Sequence, residues 1–108
     1  MITVTVIREK GEIVSVEASG HSGYAEAGKD IVCAGVSALI QALATGVSDV
    51  AHIESASLSV DPESTTMKIG WPRSHSKEIR ILTETIVFSL KAIAESYGVY
   101  VNFVEVQK

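Results

Sequence analysis

The seventeen residues from Ile31 to Val47 contain no charged side chain, and this constrains the chain more than any other feature. So apolar a segment needs surroundings other than water, so it either spans a membrane or packs as a helix inside a core. It is slightly short for a span, and Ser37, Gln41 and Thr45 interrupt it. A buried amphipathic helix is the better reading. Asp30 stands in front of it as an N-cap, and the helix is expected to run to about Val50. Val32, Val36, Leu39, Leu43, Val47 and Val50 recur at helical spacing and should form its core stripe.

The flanking segments supply what that helix would cover. Ile2 to Ile7 alternates apolar residues with Thr3 and Thr5, Glu9-Lys10-Gly11 makes a turn, and Glu12 to Ser19 alternates again, so the pair reads as a hairpin. Ser57–Val60 and Thr65–Trp71 read as two further strands around a turn at residues 61–64. A second helix is expected from about Ser76 to Tyr97, with Ile79, Leu82, Ile86, Leu90 and Ile93 on one face and Gly98 as its stop. Val99–Val106 closes the chain as a strand. The order ββαββαβ predicts an α/β protein of the α+β kind: one small domain over residues 1–108, with a mostly antiparallel sheet and two long helices on one face.

A net charge of -4 and a pI near 5.3 argue against direct nucleic-acid binding. Arg73, Lys77 and Arg80 read as a solvated face. A single cysteine excludes an internal disulfide, a CxxC redox pair and a multi-cysteine zinc site, and a reducing, cytoplasmic setting fits best. The N-terminus alternates like a strand and lacks the basic-then-apolar layout of a signal peptide.

That cysteine carries the chemistry. Cys33 would lie in the first turn of the helix, where unpaired amides and the helix dipole favour a thiolate and stabilise an oxyanion beside it. His21 precedes it by twelve residues, across a loop holding Gly20, Gly23 and Gly28. An imidazole brought to the thiol would act as general base and then as acid. Asp30 either caps the helix only or also orients His21, and both roles stay open. The bland alternative is that Cys33 is a small buried hydrophobe and His21 a loop residue. His52 and His75 lack the spacing of metal ligands, so no metal is expected. Tyr24 and Trp71 line a substrate pocket, or are a loop residue and a core residue respectively.

The stretch Gly20-His21-Ser22, with Ala25, Gly28, Asp30-Ile31-Val32-Cys33-Ala34 and Val36-Ser37, resembles the ribosomal-processing cysteine protease family, Prp. The resemblance implies a cytoplasmic homodimer, with no membrane association, that removes the N-terminal extension of a bacterial large-subunit ribosomal protein and requires no cofactor. By matching positions it implies Cys33 as nucleophile, His21 as its base, and a substrate-covering loop that includes Ser22, Gly23, Tyr24 and Gly28. Asp30 matches an acidic position of the motif. Ser22 and Gly35 depart from the pattern, each standing where alanine is expected. Two other readings remain: a ribosome assembly or binding factor without catalysis, and a thiol redox sensor, for which the chain has no resolving cysteine.

Overall fold

The computed structural model describes residues 1–21, 23–25 and 30–108. Strands β1 (Ile2–Glu9) and β2 (Glu12–Ser19) form the expected hairpin. Lys10 and Gly11 both take positive φ, 52° and 86°, as a two-residue turn matched to strand twist requires. Helix α1 (Ile31–Thr45) follows, then β3 (Ser57–Asp61), β4 (Thr66–Gly70), α2 (Lys77–Ser96) and β5 (Val101–Gln107). The sheet order is β3-β4-β2-β1-β5. Every neighbouring pair is antiparallel except β1 and β5, which run parallel with Val4 beside Phe103. The sheet is therefore mixed, and the α+β expectation holds.

Strand alternation decides which face is covered. Ile2, Val4, Val6 and Val16 join Ile69 and Val101 in one core cluster with Val36, Ile40 and Leu43 of α1 and Val87 and Leu90 of α2. Thr3, Thr5 and Glu17 fall between them on the other face. Ile31–Val50 has the length and mean hydropathy (1.8) of a membrane span, but its buried stripe faces this core.

The stripe differs from expectation at four residues. Ile40 and Ala44 are buried, Leu39 only partly, and Val50 is 73% exposed. After Thr45 the helix continues as a π-helical turn over Gly46–Val50, closed by the Ala51 N–H donating to the Gly46 carbonyl at 2.8 Å. The wider turn rotates Val50 off the core face. Gly46 marks the close approach of the helices, since a Cβ there would lie 2.6 Å from Leu82 Cδ2. On α2, Ile79 and Leu90 are buried as expected, while Leu82, Ile86 and Ile93 pack at the cluster's margin. The helix stops at Ser96 with Tyr97 as its cap, and β5 begins two residues later than the alternation suggested. Gly98 does not take positive φ.

Two ion-pair groups tie α2 to the sheet. Arg8 on β1 makes a two-pronged contact with Glu84 on α2, at 2.8 and 2.9 Å, and also reaches Glu105 on β5 at 3.3 Å. At the β1–β2 turn, Glu12 receives Arg73, His75 Nδ1 (2.7 Å) and Arg80. Arg73 and Arg80 therefore have a structural partner and are more than a solvated face.

The hydrogen bonds from Arg8, more than simple charge attraction, hold the Glu84 carboxyl below its ordinary 4.5. A carboxylate with a lowered folded-state pKa stabilises the fold above the unfolded value, and the contribution disappears as pH falls through the folded value. Glu84→Gln should therefore cost about 1 kcal/mol at pH 7. Urea titrations at a series of pH values should show the gap between wild type and variant closing below pH 4.5.

Candidate active site

His21 leaves the end of β2 through Gly20, and the position of Gly20 is tightly set. Its φ is +92°, and a Cβ would stand 2.5 Å from the Met1 carbonyl oxygen, so only glycine fits. Its N–H donates to the Thr65 carbonyl at 3.0 Å. The backbone entering His21 is thus held by the chain's first residue and by the β3–β4 turn.

Cys33 is the third residue of α1 and is partly buried. Asp30 is the N-cap: its extended backbone (φ -81°, ψ 98°) turns the side chain onto the first turn, where Oδ1 accepts the Cys33 N–H at 2.9 Å. The Asp30 carbonyl accepts the Ala34 N–H at 3.0 Å. The capping role is therefore explicit. It also revises the expectation that first-turn amides stand ready for an oxyanion, because the N–H of Cys33 is already held by a carboxylate.

Two clefts meet at the thiol. One, of about 180 Å³, runs between α1 and the β3–β4 hairpin, with apolar walls from Ile2, Ala18, Val36, Ile40, Val60 and Met67. The other, of about 490 Å³, is bordered by Gly23, Ala25, Asp30 and Ala34. Cys33, His21 and Ser37 line both. The imidazole and the thiol, twelve residues apart in the chain, thus share one junction. A polypeptide passing that junction would have a cleft on each side of the bond presented to sulfur.

Trp71 is buried in the core, and Tyr24 turns its ring to Tyr97 and Tyr100 rather than to the apolar cleft. His75 is engaged with Glu12 at the opposite end of β2 from His21. Ser22 and Gly28 of the expected covering loop lie outside the described residues. At Gly35 an added Cβ would make an ordinary 3.7 Å contact with Ile93, so the family's alanine would fit there.

Sequence reasoning missed two contributors. Ser37 follows Cys33 by one helical turn, so i, i+4 spacing was signal enough to place both on one face. Val60, Asp61 and Pro62 reach the cleft only because β4 pairs with β2 and carries β3 beside α1. No local pattern announces that.

A small α+β scaffold in which a cysteine at a helix start and a histidine line the same two clefts is an arrangement suited to a cysteine peptidase. Residues 1–102 match the family described as Cysteine protease Prp. The chain is 34% identical over 103 residues to the ribosomal processing cysteine protease Prp of Bacillus subtilis, covering 90% of each chain. It superposes on the ribosomal processing protease Prp of Staphylococcus aureus, crystallised with a covalently linked product peptide, with a TM-score of 0.84 and 25% identity, covering 98% of this chain and 100% of that one. A Streptococcus mutans crystal structure gives a TM-score of 0.86 at 32% identity, covering 100% and 96%. The chain belongs to the Prp family of cysteine proteases.

The cap yields a direct expectation. Asp30→Ala should lower stability by about 1 kcal/mol, because the Cys33 amide loses its acceptor, whereas Asp30→Asn should stay within a few tenths. Urea midpoints of the two variants measure the difference.

Proposed function

We propose that residues 1–108 form one cysteine protease domain in which Cys33 is the nucleophile and His21 its general base and acid. The observation that carries this reading is that both residues line both clefts. The Cys33 thiolate attacks the scissile carbonyl, and the tetrahedral adduct collapses to a thioester as His21 gives its proton to the leaving amine. Water, deprotonated by His21, then releases the acyl group and restores the thiol. Asp30 orients the first turn of α1 beneath the sulfur. The apolar walls of the smaller cleft suit an apolar substrate side chain next to the cleaved bond.

The substrate is the N-terminal extension of a bacterial large-subunit ribosomal protein. Support comes from the relatives: those in Bacillus subtilis and Staphylococcus aureus are ribosomal processing proteases, and the latter has been crystallised with a product peptide. The same family reading makes the protein a cytoplasmic homodimer. Ile81 and Phe88, exposed seven residues apart on the outer side of α2, are suitable apolar surface for a second copy.

The test is cleavage of a peptide spanning the extension junction of the host's ribosomal protein, with products identified by mass spectrometry. Wild type should cut a single bond. Cys33→Ala should give no product while still binding the peptide, and His21→Ala should lower kcat by about 10²-fold or more. Binding by every form with cleavage by none would instead indicate an assembly factor.

A further inference from the structure

Three residues after His21 stands an aromatic group that the mechanism does not use. The Tyr24 ring stands edge-on to Tyr97, with centroids 5.9 Å apart and planes at 83°, and edge-on to Tyr100, at 5.2 Å and 76°. Tyr97 caps α2, and the Tyr100 carbonyl accepts the N–H of Ile2 at 2.9 Å. Both partners therefore belong to the rigid frame. Tyr24 follows His21 by three residues, and Gly23, with φ of +73°, turns the chain between them.

Constraints therefore stand on either side of His21 in the chain, at Gly20 and at Tyr24. Upstream, Gly20 is locked against Met1 and Thr65. Downstream, the Tyr24 ring is held by its two aromatic contacts, which leave the residue 41% exposed. Edge-to-face contacts are directional, so they select an orientation of the backbone that carries the ring as well as burying area. A general base acts only within hydrogen-bond reach of its proton, and a displacement of about 1 Å costs on the order of 10²-fold.

We propose that Tyr24 is a positioning residue: its ring, seated on Tyr97 and Tyr100, holds His21 at Cys33. This rests on the assignment of His21 as the base, and the test separates the two. Cleavage of the junction peptide and alkylation of Cys33 by iodoacetamide at pH 7 are measured for wild type, Tyr24→Ala, Tyr24→Leu, Tyr24→Phe, His21→Ala and the Tyr24→Ala/His21→Ala double variant. Urea midpoints are measured alongside. Tyr24→Ala should lower kcat about tenfold with KM within about twofold, and should slow alkylation as His21→Ala does. Tyr24→Leu, which keeps apolar bulk without a ring edge, should behave like Tyr24→Ala and serves in its place if the alanine protein unfolds. Tyr24→Phe should restore both rates. The double variant should be no slower than His21→Ala alone, because the ring acts only through the imidazole. Wild-type rates in Tyr24→Leu, a loss confined to KM, or additive losses in the double variant would overturn the proposal. If wild type cuts no peptide, the assigned substrate falls, while the alkylation rates still decide whether Tyr24 acts through His21.

Discussion

The burial of α1 against the sheet governs the rest of this molecule. An uncharged helix has one place to go in water, and here Val36, Ile40 and Leu43 share one buried cluster with Val4, Val6 and Val16. Because Cys33 belongs to the first turn of that helix, the position and tilt of the thiol are inherited from the core. The sulfur needs no network of its own to hold it. The apolar cleft has the same origin, since Val36 and Ile40 both face the core and line the cleft wall.

Asp30 joins the helix to the chemistry. A carboxylate next to a prospective thiolate is electrostatically awkward, and the structure shows what keeps it there: the Cys33 amide donates to it at 2.9 Å. The charge serves a backbone group that would otherwise be unsatisfied at the helix start. The oxyanion of the tetrahedral adduct must accordingly find donors other than that amide. The proposed mechanism thus depends on groups outside the simplest helix-dipole picture.

Much of this was readable beforehand, in proportion to how local each signal was. Asp30 followed by an apolar run marked the start of α1, and the alternation of Ile2–Ile7 and Glu12–Ser19 marked the hairpin. The end of this helix near Val50 was readable too, but its π turn from Gly46 was not, because that turn accompanies close packing against Leu82, a neighbour 36 residues away in sequence. Likewise β5 resembled any terminal strand, and nothing in Val101–Gln107 states that it lies parallel to β1. At the site, the placement of His21 and Cys33 on the same clefts was legible through the motif. The ring partners of Tyr24 were not, since Tyr97 and Tyr100 come from the far end of the chain.

The parallel pairing of β1 with β5 has a consequence for how the enzyme comes into being. The first strand finds one of its two neighbours only in residues 101–107, and Ile2 is bonded to Tyr100. Contacts of such long sequence separation form late and slowly. A nascent chain still missing its last strand would already contain Cys33, His21, Tyr97 and Tyr100, but would lack the edge that completes the sheet beside β1. Completion of the sheet thus waits on synthesis: β1 gains its second neighbour only once the chain has been made through β5.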